Sequence, residues 1–328
     1  MVTRKMNTNH KLNVASSPHW KSGISIARLQ QLWLIALLPV ISASIYRFGY
    51  DALKIYCLCI ATSVVVDAGV NLIIKSKDAV TNWSSLPLAI LLAVMLPVGV
   101  PWWLVVIGCF IMIFIGKKLL GGMGAYPVHP VMLTYAMLVI SWPQHFDNTK
   151  ALLSYNWDVP MIDVLQISKT YGLNGEALFS WQDLLMGNQV AALGNGMVLF
   201  IIIGGLMLIL MNAISWHIPT AFILGVVGMS TILQLIDPEL SASPLFHLLS
   251  ASTLLGAFFL ATETTTSPVN PIPMLIYGFF GGALLVLLRS FSDHIDGIAF
   301  TILIINFMAP LLDRITPRIC GMELGHHA

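Results

Sequence analysis

Apolar residues in this chain gather into long runs, and the few charges clump between them. Ten runs stand out, roughly 29–46, 52–74, 84–98, 101–120, 129–143, 197–212, 218–236, 244–262, 272–289 and 295–312. Most approach the ~20 residues that an α-helix needs to cross a bilayer. The runs at 84–98 and 129–143 are short for full spans, so their ends are the least defined. One long connection remains, 144–196. The pattern predicts an all-α polytopic membrane protein of about ten transmembrane helices. Its parts are a tail 1–28, a five-span unit 29–143, a loop 144–196, a second five-span unit 197–312 and a tail 313–328.

The two units resemble each other. The third span of the first reads LPLAILLAVMLPVGVPWW, with Pro87, Pro97 and Pro101. The third span of the second reads LLGAFFLATETTTSPVNPIP, with Pro268, Pro271 and Pro273. Five is an odd number, so a duplicated unit inserts upside down. Proline-interrupted segments at matching places in inverted repeats predict broken helices that meet near the midplane. Non-helical backbone at that depth is tolerated inside protein or around a cavity.

Composition narrows the class. Hydrophobic residues make up 57% of the 328 and charged residues only 9%, against ~25% charged in soluble domains. That charge cannot solvate a soluble surface. The net charge of +1 gives no basic field for nucleic acid. Four cysteines, none in a CxxC, exclude a disulfide scaffold and make a zinc or iron–sulfur site built by this chain alone unexpected. No GxGxxG follows a soluble strand, so no NADH site is expected. With ten spans, eleven of the sixteen Lys and Arg fall on one side, including Arg4, Lys5, Lys117, Lys118 and Arg314. Both termini are therefore expected in the cytoplasm, and the acidic loop 144–196 outside. No cleavable signal peptide is expected ahead of the first run.

Several motifs occur in one order along the chain. Ser17-Pro18-His19 precedes the first span, and Pro97, Pro101, Trp102 and Trp103 lead into the fourth. Lys118, Gly121, Gly122 and Gly124 form a turn followed by Pro127 and Pro130. Trp216-His217-Ile218-Pro219 opens the seventh span, and Thr262 to Pro268 reads TETTTSP. Gly297, Asn306, Pro310, Leu311 and Asp313 mark the last span. By these residues the chain resembles the D subunit of the Rnf ion-translocating electron-transport complex, and is similar to the B subunit of the sodium-pumping NADH:quinone reductase. It looks like a divergent member. Tyr126-Pro127-Val128-His129-Pro130 stands where the family has Asn-Pro-Phe-Asn-Pro, and Glu263 stands for an aspartate.

The resemblance implies FMN attached by a phosphoester to a loop threonine. That position falls on Thr170, although Ile167, Lys169 and Tyr171 replace the rest of the usual context. Lys169 is placed to face a phosphate as a point charge. The resemblance also leaves room for a second, non-covalent flavin. It implies partner subunits holding the NADH and iron–sulfur centres, and a bacterial inner-membrane location.

Ionisable groups at membrane depth default to function. Asp67 lies within the second span, and Glu263 lies at the break of the eighth beside Thr264 and Thr265. These four are the candidate ion path. The bland alternatives are a helix-pairing Asp67 and a capping Glu263, with His129 a hydrogen-bonded structural histidine. No metal site and no complete catalytic site are expected in this chain. The function expected is a membrane subunit that carries electrons through a flavin and couples them to ion movement. The alternative is an inverted-repeat channel or transporter for small solutes, with no redox cofactor.

Overall fold

The structure, a computed structural model, describes residues 25–74, 84–149, 163–238, 241–292 and 296–315. Ser17-Pro18-His19, the cations Lys75, Lys77, Lys150 and Arg318, and the tail beyond 315 lie outside the described residues.

Helix α1 (Ile26–Phe48) starts where Ser25 accepts a hydrogen bond from the Arg28 amide, and stops at Gly49. Gly49 has φ +58°, a conformation that costs glycine little. That single residue turns the chain directly into α2 (Tyr50–Ile74). Helix α3 (Ser85–Met95) ends ahead of Pro97. Helix α4 (Trp102–Phe110) continues as a π-helical stretch, Ile111–Leu119. Gly121, Gly122 and Gly124, all at positive φ, then reverse the chain into α5 (Pro130–Ser141), which has Pro at its first position. The loop carries α6 (Val164–Glu176) and α7 (Trp181–Met186).

The second half has α8 (Val198–Leu210) and α9 (His217–Ile236). A broken segment follows: α10 (Pro244–Leu249), a gap, then α11 (Thr253–Leu255) running into π-helical Gly256–Leu260. Helices α12 (Pro271–Phe291) and α13 (Ile298–Leu312) complete it. The ten apolar runs thus each become helix, and the short third and fifth runs become short helices. Among the described residues, five stretches are long and apolar enough to cross a membrane: α1, α2, α4 with its extension, α9 and α12. Among the described residues there is no β-strand, only one isolated bridge between Asp163 and Val190. The protein is an all-α polytopic membrane protein.

Connectivity gives the bundle two ends. Arg47, at the end of α1, lies against Gly187 of the loop, so α1 ends at the loop side and α2 runs away from it. The π-helical end of α4 meets the far part of α2 through Lys117 and Asp67. The end of α12 meets α6, where the Lys169 ammonium donates to the Ser292 carbonyl. Lys117 and Arg289, each near the end of the fourth segment of its half, therefore sit at opposite ends of the bundle.

The end of the loop joins the halves. Residues 189–197 are buried without forming a helix. Their amides are met across the bundle: Leu193 donates to the Leu96 carbonyl and Gly194 to that of Val94, both at 3.0 Å. The Gln189 side chain bonds the Leu249 carbonyl and the Ala251 amide. This is the satisfied irregular backbone that a membrane interior demands. Within the second half, α9 and α12 cross in backbone contact. A Cβ on Gly282 would lie 2.0 Å from the Phe222 carbonyl oxygen, and one on Gly225 2.2 Å from that of Phe279. Small residues are what permit such an approach.

Candidate functional site

Glu263 follows the broken segment directly and is 8% exposed. Its Oε1 accepts a 2.6 Å hydrogen bond from the Tyr126 hydroxyl, contributed by the first half. Its Oε2 accepts from the amides of Thr265 and Thr266 and from the Thr266 hydroxyl, at 3.1–3.2 Å. The carboxylate therefore closes the turn after the break and ties that turn to the other half. Thr264 is exposed, and Thr265 contributes its amide. A cavity of about 20 Å³ lies beside Glu263, bordered also by Gln30, Ser84, Lys117, Tyr126 and Thr264. That is room for about one water-sized guest.

Lys117 connects this cavity to Asp67. It is 2% exposed and donates to Ser84 Oγ at 2.7 Å, with Asp67 Oδ2 at 3.4 Å. Lys118 approaches Asp67 Oδ1 at 3.2 Å and donates to Asn71. Asp67 is thus held between two ammonium groups. Glu263, Thr264 and Lys117 share one cavity, and Asp67 stands behind Lys117. Asp313, at the end of α13, accepts from the Val269 amide just past the same break. His129 is fully buried with neither ring nitrogen bonded among the described residues, so the expected hydrogen-bonded histidine is not found.

Thr170 and Lys169 lie at the other end of the bundle, on α6. Asp163 caps this helix, accepting from the amides of Leu165 and Gln166. Glu176 pins its far end to the Ser243 amide and hydroxyl ahead of α10. Thr170 is exposed, and its hydroxyl donates to the Gln166 carbonyl of its own helix at 2.6 Å. The exposed Lys169 is tied to Ser292. In the following helix Ser180 and Asn188 donate to Asp183 and hold its carboxyl below the usual range.

A second cluster forms around Arg289. Arg289, 4% exposed, meets Asp296 Oδ1 at 2.7 Å, Thr253 Oγ1 at 2.7 Å and the carbonyls of His247 and Asp296. Ser252 donates to Asp296 Oδ2. A cavity of about 370 Å³ opens next to Asp296, between α5, the start of α6 and the start of α13. Burial, and secondarily the charge of Asp296, raises the Asp163 carboxyl at its edge to about 6.

The family profile of NQR2, RnfD and RnfE matches residues 13–321. The chain belongs to this family. It is 35% identical to the D subunit of the ion-translocating oxidoreductase complex of Vibrio cholerae serotype O1, over 94% of this chain and 99% of that one. It is 33% identical to the D subunit of the Na(+)-translocating ferredoxin:NAD(+) oxidoreductase complex of Acetobacterium woodii, over 95% and 96%. Identity to the D subunit of the ion-translocating oxidoreductase complex of Yersinia pseudotuberculosis is 33%, over 96% and 100%. The family match spans both halves of the bundle and the loop between them.

Proposed function

We propose that this protein is the D-type membrane subunit of an ion-translocating oxidoreductase complex, passing electrons through a flavin and coupling them to ion movement. Near end-to-end similarity to subunits of that name carries the reading. Its partners are the other subunits, and it sits in a bacterial inner membrane with both termini in the cytoplasm.

The residues at Thr170 fit a phosphoester. The hydroxyl is exposed and bonds only carbonyls of its own helix among the described residues, so esterification breaks no contact with another element. Lys169 supplies a cation one position away. A flavin held there takes and gives one or two electrons. The chain's own part is positional: Asp163 caps the start of α6, Glu176 fixes its far end to Ser243, and Lys169 fixes it to the end of α12. The ion side of the reading rests on Glu263, Thr264 and Thr265 at the break and on Asp67 behind Lys117. In the conformation described, Glu263 is fully occupied by donors and Asp67 by ammoniums, so an ion would enter this region only as those contacts rearrange.

The test is a denaturing gel of the purified protein viewed under ultraviolet light. A fluorescent band that disappears in Thr170→Ala supports covalent flavin. A dark band with no flavin in the denatured supernatant removes the redox role and leaves a solute channel or transporter built on the same repeats. Separately, unchanged ion pumping in Glu263→Gln would remove that carboxylate from the ion path.

A further inference from the structure

The cavity of about 370 Å³ beside α6 has an unusual wall for a protein interior. Three carboxylates border it, Asp147, Asp163 and Asp296, and the described lining residues include no Lys, Arg or His. Arg289 stands behind Asp296 and offsets one charge. Asp163 spends Oδ1 on capping α6, while its Oδ2 makes no hydrogen bond among the described residues. The described part of the wall is acidic.

Carboxamides supply the second observation. Asn195 lies in the buried stretch 189–197, is 4% exposed and lines the cavity, yet its Oδ1 has no hydrogen-bond partner among the described residues. Asn148 lines it as well, and its Oδ1 is likewise buried and unpartnered. A buried acceptor left unmet costs on the order of 1–3 kcal/mol. Two of them at the edge of one acidic cavity mark a place where a donor or a cation belongs. The ligands on offer are all oxygen, which suits a hard cation. No three acidic, histidine or cysteine side chains converge on one point among the described residues. The cavity volume equals roughly a dozen water shares, so an ion keeps much of its hydration there.

We propose that this cavity is a binding vestibule for a hydrated alkali-metal cation, held by Asp163 Oδ2 and the side-chain oxygens of Asn148 and Asn195. Only its role as a stop on an ion path rests on the function proposed above; the binding itself does not. The affinity matches a weak, exchangeable site and not a cage.

Sodium NMR line broadening on the purified full chain tests this, with choline chloride balancing ionic strength. The Thr170→Ala background separates the outcome from that of the flavin. Asp163→Asn removes a carboxylate but keeps a good helix cap, and Asn195→Leu removes the amide oxygen. Sodium broadening present in the parent and lost in Asp163→Asn, with helicity and gel-filtration profile intact, supports the site. Broadening absent from the parent, or undiminished in both variants, overturns it. Competition by calcium with no response to sodium overturns the assignment to an alkali cation.

Discussion

A buried carboxylate needs donors on both oxygens, and Glu263 has them from two halves of the bundle. Removing one donor and removing the acceptor are then unequal changes. Tyr126→Phe deletes one bond to a charged group and should cost about 1.5–3 kcal/mol. Glu263→Ala strands the Tyr126 hydroxyl and the amides of Thr265 and Thr266, and should cost clearly more. Glu263→Gln keeps an acceptor and should fall near Tyr126→Phe. Thermal unfolding in detergent orders the three, and an alanine variant as stable as Tyr126→Phe would contradict the capping role. Asp163 behaves oppositely with pH. Its folded-state value of about 6 is above the model-peptide 3.8, so the folded protein holds the proton over that interval. The associated stability is complete below about pH 4 and is lost as pH rises through 6. Asp163→Asn should therefore gain on the parent between about pH 4 and 7, by on the order of 1–2 kcal/mol given its partial exposure. Unfolding midpoints in sodium-free buffer measure this, and a constant difference across the range would refute it. Glu263 was legible as a candidate because TETTTSP puts an acid at a helix break. Its partner Tyr126 was not, since 137 positions separate them and no local pattern links them.

Helices were legible because each apolar run has to bond its own backbone in lipid, and the runs alone set their ends to within a few residues. Where runs and helices differ, packing is the reason. The eighth run is continuous in composition, yet the chain breaks at Ser250–Ser252, where Gln189 from the loop takes the Leu249 carbonyl and the Ala251 amide. No periodicity in residues 244–262 announces a glutamine from elsewhere. The α9–α12 crossing turns on Gly225, Gly278 and Gly282, and the close approach at each needs the fold to be seen. Gly282→Ala forces a methyl onto the Phe222 carbonyl and should cost about 1–3 kcal/mol or more through separation of the two helices. Gly69→Ala is the control, because a Cβ there meets nothing within 4 Å; it should be neutral or mildly stabilising. Heat-induced aggregation in detergent measures both, and a loss in Gly282→Ala no larger than the change in Gly69→Ala would refute contact with Phe222 as the source of the cost.

At the scale of the molecule, one buried cation stands near the end of the fourth segment of each half. Lys117, near the end of the fourth segment of the first half, bonds Ser84 at the start of that half's third segment. Arg289, near the end of the fourth segment of the second half, bonds Thr253, where the broken segment resumes after its gap. Each has an acid beside it, Asp67 or Asp296. Because the halves run in opposite directions, the same contact fastens opposite ends of the bundle. Charge counting assigns Lys117 and Arg289 to sides but cannot show that both turn inward, since a cation at a span end reads the same whether it faces water or a neighbour. The two fastenings differ in strength. Arg289 reaches two side chains and two carbonyls through a planar fork, which an ammonium cannot reproduce. Arg289→Lys should therefore destabilise markedly, while Lys117→Arg meets mainly the problem of added bulk. Arg289→Met leaves Asp296 buried without its cation and should cost about 3–5 kcal/mol, with much of that recovered when Asp296→Leu is added. A double-mutant cycle on unfolding midpoints reads the coupling. Additive losses would show that Arg289 acts through its bonds to the His247 and Asp296 carbonyls and the Thr253 hydroxyl, and not through the Asp296 carboxylate.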